Sequence, residues 1–214
     1  MEPGILALVD LAAVMRTAGN CRDLRPDPVP PGIIYRVLDN ARYAPSGRNW
    51  QGWRVIVVRD PQTRGALRDL YASVWYGQMA PLRTPPGAQP EPEPYADHLD
   101  QVPVHLVILA ERQAITTTIE ALDSHRICAG SSIYPFVQNV LLGLRAEGLG
   151  AAFTALHVAA EDEVRQLLRV PGGFLVAGHI GAGWPARPLP TRLSRKAVED
   201  FATEDRFDGP PITA

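Results

Sequence analysis

The sequence predicts an α+β fold, a sheet with helices packed on it, in one domain. Three apolar runs rich in β-branched residues have strand length: Trp53 to Arg59, Val102 to Ala110 and Phe174 to Gly181. Longer stretches between them carry apolar residues at helical spacing, as in Ile33, Ile34, Val37, Leu38 and Ala41. No internal repeat and no second core pattern occurs in the 214 residues, so 1–214 reads as a single domain.

The elements follow in order. Ile5, Leu6, Leu8, Val9, Ala12 and Ala13 give a first helix with a broad apolar face, and Met15 to Leu24 reads as a short polar link. Arg25 to Pro31 is an extended spacer, because closely spaced prolines suit neither a helix nor a central strand. Pro31 sits well at a helix start, its fixed φ matching the first turn. After the first strand, Asp60-Pro61 opens a helix whose buried side is Leu67, Leu70, Tyr71, Val74 and Trp75. Prolines then crowd residues 79–96, which read as an irregular excursion and a candidate lid, with a solvated loop as the plainer reading. Glu111 to Ser124 is ambiguous. Ser131 or Ser132 precedes or caps a long helix marked by Phe136, Val137, Val140, Leu141 and Leu144, apolar nearly all round and ended by Gly148. Ala151 to Thr154 is a short strand, and Glu161 to Leu168 a helix whose three opening acids suit its dipole. From Trp184 the tail is polar and proline-studded.

Composition excludes several classes. A net charge of -2 and a pI near 6.2 give no electrostatic footprint for nucleic acid or an anionic membrane. Two cysteines, Cys21 and Cys128, are too few for a disulfide framework and fit a reducing cytoplasm. The apolar start to Met15 reads as a helix rather than a leader, since Glu2 stands where a leader is basic, Asp10 interrupts the run and no cleavage site follows. No run approaches membrane-spanning length.

Familiar catalytic patterns are missing or misplaced. Gly148-Leu149-Gly150 leaves a helix and enters a strand, the reverse of a dinucleotide fingerprint, and Pro185 denies Gly181-Ala182-Gly183 its phosphate-binding helix. The five histidines form no helical metal pair, no Cys pair has zinc spacing, and each histidine reads as structural. No serine sits in a G-x-S-x-G elbow. The informative stretch is Ala44 to Trp53, a small polar loop between a helix and a buried strand, where chains place functional backbone. The Ser46 hydroxyl, the Asn49 carboxamide and the N–H groups around Gly47 make it rich in donors. Such a loop suits a planar, polar-edged ligand rather than a metal. Arg16 and Arg22 early, and Arg192, Arg195 and Lys196 late, are candidate phosphate grips, though surface arginines are the plainer reading.

Ala44-Pro45-Ser46, Asn49, Gln51 and Trp53, set before a valine-rich strand, resemble the flavin-binding loop of the nitroreductase family, FMN-dependent dimeric oxidoreductases. The family has proline between the glutamine and the tryptophan; Gly52 stands here, which loosens the turn and removes no donor. Asn20 to Leu24 is similar to the family's phosphate-holding R-x-S-x-R-x-F segment, with Asn20 at the polar position, Arg22 at the second basic one and Leu24 at the aromatic one. The first basic position is missing, since Ala18 and Gly19 stand there, and Arg16 about a turn earlier is the substitute. Ser194 to Glu199 resembles the late basic segment, with Arg195 in place and Leu193 replacing the other base. Gln138 to Gly150 is similar to the central helix and its exit, which puts Phe153, Thr154 and Ala155 where backbone groups meet the flavin edge.

The resemblance implies an intertwined homodimer with a central mixed, mostly antiparallel sheet flanked by helices. It implies FMN at the subunit interface, held by Pro45, Ser46, Gly47 and Asn49 with Arg16, Asn20, Arg22, Phe153, Thr154, Ala155 and Arg195. It also implies NADH or NADPH as donor, a nitroaromatic or quinone-like acceptor, and a ping-pong scheme in which the flavin carries the chemistry and no catalytic side chain is needed. Relatives that fragment flavin or dehalogenate a substrate are the nearer alternative. A flavin-binding or interaction protein with a decayed redox site is the more distant one.

Overall fold

The computed structural model of the chain describes residues 10–85, 88–89, 91–115 and 126–213. Helix α1 is Leu11–Thr17, capped where the Asp10 carboxylate accepts the Ala12 N–H at 2.9 Å. Met15 to Thr17, read from sequence as link, therefore belong to the helix; Ile5 to Val9 lie outside the described residues. Strand β1 is the dipeptide Leu24–Arg25. Helix α2, Pro31–Ala41, starts at the expected proline and buries Ile34, Val37 and Ala41. Strand β2 is Trp53–Val58 and helix α3 is Pro61–Val74, with Asp60 capping Thr63.

The helical path does not stop where the excursion was expected to begin. A π-type turn, Trp75–Met79, carries it into α4, Ala80–Arg83, and the far end of the excursion is the short helix α5, Pro94–Asp97. Tyr76 ties the two ends: its hydroxyl donates to Asp97 Oδ1 at 2.9 Å and accepts the Glu93 N–H at 3.0 Å. Strand β3 is Val104–Glu111. Most of the ambiguous stretch that follows, 116–125, lies outside the described residues. Helix α6 is Tyr134–Ala146, strand β4 Gly150–Thr154, helix α7 Glu161–Leu168 and strand β5 Phe174–Pro185.

Among the described residues the strands form one sheet, β1-β5-β3-β2 with β4 also on β5, and every strand pairing is antiparallel. The parallel element is the single bridge Asn20 to Ala151. Strand β5 runs four residues past its expected end at Gly181, because Ala182 and Gly183 still pair with β4, and Trp184 and Pro185 with β1. That long-range pairing also makes a strand of Leu24–Arg25, expected as link and spacer.

Strand β3 is buried on both faces, and its alternation divides the core. Leu106, Ile108 and Ala110 meet α2 and α6 through Ile34, Val37, Phe136 and Val140. Val107 and Leu109 meet α3 and α7 through Leu67 and Val164. Each fully buried aliphatic side chain here contributes about 1.5–3 kcal/mol. Helices α2 and α6 approach closely because Gly143 has no side chain; a Cβ there would lie 3.2 Å from Val37 Cγ1. Helix α6 is less uniformly apolar in its setting than expected. Phe136, Val137, Val140 and Leu144 are buried, Tyr134 is 48 % exposed, and Leu142, Gly143 and Ala146 border a shallow apolar hollow of about 230 Å³ shared with Leu11 and Val14 of α1.

His105, His157 and His179 gather between the sheet and α3, all at 0–1 % exposure. His105 Nε2 faces the Val102 carbonyl at 3.1 Å and His157 Nε2 the Leu67 carbonyl at 2.9 Å, so both nitrogens carry protons. His105 Nδ1 then accepts from His179 Nε2 at 2.9 Å. The Nδ1 atoms of His157 and His179 remain bare, buried acceptors. Desolvation and the neighbouring imidazoles push His105 down to about 3 and His179 well below the ordinary value; burial lowers His157 too.

Candidate functional site

The loop after α2 is shaped by its backbone. Ser46 is extended, Gly47–Asn49 makes a 3-10 turn, and Arg48, Asn49 and Gln51 take φ of 53°, 54° and 56°. Three non-glycine residues in the left-handed region are costly, about 1–3 kcal/mol each in sparsely populated geometry, and need surroundings that hold them. Those surroundings are specific. The Gln51 N–H donates to Ser46 Oγ at 3.0 Å, and Gln51 Nε2 to Asn49 Oδ1 at 3.1 Å. Trp50 Nε1 donates to Glu111 Oε2 at 2.9 Å, and the Glu111 N–H returns to the Gly52 carbonyl at 2.7 Å. Trp53 stacks on Phe136 with centroids 4.8 Å apart, fixing the loop's exit against α6.

Two expectations change. The Gly47 N–H, expected as a free donor, is taken by Ser132 Oγ at 2.9 Å. Ser132, expected to cap or precede α6, serves the loop instead; the cap position is Ile133, with no side-chain bond. Gly52 has a packing reason as well, since a Cβ there would lie 2.8 Å from the Ala114 Cβ. With the oxygens of Ser46 and Asn49 occupied, what they offer outward is donors, a hydroxyl proton and a carboxamide NH2.

A second group forms around β4. Asn20 Oδ1 accepts the Phe153 N–H at 3.2 Å, and Thr154 Oγ1 accepts the Leu156 N–H at 3.2 Å. The Phe153 ring lies over Gly178, where no Cβ would fit, and meets Tyr134 edge-on at 6.3 Å. The Arg22 guanidinium lies 5.9 Å from the Tyr95 ring centroid. Tyr71, buried beside Thr154 and Arg22, has its phenol pushed up chiefly by desolvation. Arg22, Glu93, Tyr95 and Gln101 border a cavity of about 500 Å³, with the Arg187–Asp23 ion pair, 3.0 Å, at its edge.

The start of α6 joins the two groups, Ser132 holding Gly47 and Tyr134 touching Phe153. Ala155 precedes the Leu156–Ala160 turn and takes the Val158 N–H on its carbonyl. Arg16 and Arg195 are exposed; Arg195 Nη1 donates to its neighbour's carbonyl, Ser194 O, at 2.6 Å. Sequence reasoning missed Ser132, Glu111, Tyr71 and Tyr95. Only Ser132 left a local signal, as a polar residue before a helix. Among the described residues no group of histidines, cysteines and acids is arranged to hold a metal, and no helix is long and apolar enough to cross a membrane.

The chain as a whole is similar to known proteins. The chain is 31% identical over 188 residues to a NADH dehydrogenase of Thermus thermophilus, covering 85% of this chain and 89% of that one. It is 27% identical to a nitrobenzene nitroreductase of Ectopseudomonas oleovorans, with 82% and 88% covered. The fold is like that of an iodotyrosine deiodinase structure bound to FMN and 3-iodo-L-tyrosine, with a TM-score of 0.70 at 20% identity, covering 91% of this chain and 100% of that one. The sequence model of the Nitroreductase family matches residues 18–184, a span that holds both groups of the site, and the chain belongs to that family.

Proposed function

We propose that the protein is an FMN-dependent oxidoreductase that moves electrons from NADH or NADPH to a small organic acceptor, nitroaromatic or quinone-like. The observation that carries the reading is the family match across both groups of the site. Relatives named for NADH dehydrogenation and nitrobenzene reduction support the donor and the acceptor class.

The residues present fit a flavin. Ser46 and Asn49 offer donors, not charges, at a loop whose shape is set before any ligand arrives, which suits the carbonyl and nitrogen edge of an isoalloxazine. Asn20 keeps its carboxamide NH2 after accepting the Phe153 N–H, whereas the Thr154 hydroxyl, which accepts the Leu156 N–H, is also paired with Tyr71. Pro45 and Gly47 would hold the loop at the ring, Phe153, Thr154 and Ala155 would supply its edge, and Arg22, with Arg16 and Arg195 as further bases, would neutralise the phosphate. When bound, the flavin supplies the redox chemistry, two electrons in from the nicotinamide and two out to the acceptor. The chain positions the reactants, and the proton that accompanies each hydride equivalent comes from solvent, so no side-chain acid is required. The apolar hollow beside α1 and α6 supports a homodimer. The described flanks of the 79–96 segment, joined where Tyr76 meets Glu93 and Asp97, make it the candidate lid.

Purified protein should be yellow, bleach with NADH or NADPH, and give parallel double-reciprocal lines when donor and acceptor are varied. A second reading, a flavin-binding or interaction protein without turnover, has one observation in its favour. Gly19 packs against Leu193, so two places where the resemblance expects a basic segment meet as an apolar contact. Colourless protein that leaves added FMN fluorescence unquenched would refute the enzyme reading.

A further inference from the structure

The loop of residues 46–52 carries two kinds of hydrogen bond. Those within it, from the Gln51 N–H to Ser46 Oγ and from Gln51 Nε2 to Asn49 Oδ1, fix its shape but travel with it. Placement against the sheet needs bonds that leave the loop. Among the described residues these lead to two places. Ser132 takes the Gly47 N–H at the front, and Glu111 holds the rear.

Glu111 grips the rear at two points. Its N–H donates to the Gly52 carbonyl at 2.7 Å, and its carboxylate accepts the Trp50 indole N–H at 2.9 Å. The two bonds straddle Gln51, whose φ is 56°. Glu111 is itself fixed. It ends β3, paired with Phe174 of β5, and the pairing of Trp53 with Ala110 sets Gly52 across from it. An indole has one donor, so the side chain of Trp50, 37 % exposed, has no second polar anchor. A carboxylate acceptor makes the bond one of the stronger, charge-assisted kind. Gly52 gives that grip a reason. The resemblance expects proline there, which would stiffen the rear of the loop from within by fixing φ. Glycine gives up that stiffness, and Glu111 supplies the restraint from outside.

We propose that Glu111 is a positioning residue for the flavin loop, acting through Trp50 to set where the Ser46 and Asn49 donors stand. The assignment rests on the flavoprotein reading above. It gives the carboxylate at the end of β3 a part in flavin binding although it acts through another residue. The loop is assigned to the ring and the arginines to the phosphate. Loss of the grip therefore weakens FMN and riboflavin alike, and alters the polar surroundings of the ring.

The test titrates flavin-stripped full-length protein with FMN and with riboflavin, reading fluorescence quenching and the visible spectrum at saturation. Wild type is compared with Glu111→Ala, Glu111→Gln, Trp50→Phe and the double variant Glu111→Ala with Trp50→Phe, and melting curves confirm folding. Every variant keeps the backbone bond to Gly52. Glu111→Ala should weaken both flavins about tenfold, the lower end for one hydrogen bond to a charged group, and shift the bound-flavin spectrum toward that of free flavin. Glu111→Gln, whose amide oxygen still accepts the indole N–H, should restore most of both. Trp50→Phe should match Glu111→Ala, and the double variant should lose no more than either. Wild-type affinity and spectrum in Glu111→Ala overturn the proposal, and so do additive losses or a Glu111→Gln that restores nothing. A lower melting point with an unchanged spectrum at saturation would show a structural role alone and overturns it too. If Glu111→Ala does not fold, Trp50→Phe removes the same bond from the loop's side and decides by the same readings. Binding of neither flavin to wild type overturns the flavoprotein reading and this proposal with it.

Discussion

Acid should unfold this protein earlier than its carboxylates alone would require, because three imidazoles are locked neutral in the core. His105 is held near 3, His179 well below its ordinary value, and His157 is lowered as well. In the unfolded chain each titrates near 6.5. Their stabilisation is therefore fully present above pH 6.5. It is lost as pH falls below 6.5, where only the unfolded state takes up protons, and the loss grows until the folded values are reached. At pH 5.5 a histidine held near 3, as His105 is, costs about 1.4 kcal/mol, already a large part of a stability of about 5–15 kcal/mol. The perturbation to make is His157→Gln, whose amide can still donate to the Leu67 carbonyl. Urea unfolding at pH 7.5 and pH 5.5 gives the stability lost between them. The variant should lose less stability than wild type over that interval, by at most about 1.4 kcal/mol, whatever its stability at pH 7.5. Equal losses would refute the neutral, buried assignment of His157.

The loop and the surface give further tests. Ser132→Ala removes the acceptor of the Gly47 N–H, so stability should fall by about 0.5–1.5 kcal/mol while affinity for both FMN and riboflavin weakens severalfold. Gly52→Ala forces a contact with Ala114 and should cost about 1–3 kcal/mol, read in thermal denaturation as a fall of several degrees; an unchanged midpoint would show that the turn gives way freely. Ala146→Glu puts a charge at the apolar hollow on α6, so sedimentation should report monomers and flavin should be lost with the dimer. A dimer that survives the substitution would place the interface elsewhere.

The parts of the fold readable from sequence were those fixed by neighbours in the chain. Pro31 sets the start of α2, Asp60 caps α3, and the valines of β2 announce a buried strand whatever they pair with. The extension of β5 to Pro185 was hidden because its cause lies 30 or more residues away, in β4 and β1, while glycines and a proline give it the look of a tail. The same holds at the site. Pro45 to Trp53 stood out because its residues are contiguous. The loan of Ser132 to Gly47 spans 85 residues, and the histidine cluster joins positions 105, 157 and 179, each unremarkable by itself. Gly19 and Leu193 were visible as two separate departures; only contact makes them one feature.

The left-handed run at Arg48, Asn49 and Gln51 bears on the thermodynamics of association. A segment already bent and stapled has few alternative shapes to give up when a partner arrives, so capture should carry little configurational penalty and little rearrangement. Calorimetry would then find a heat of binding dominated by new polar contacts and scarcely offset by ordering.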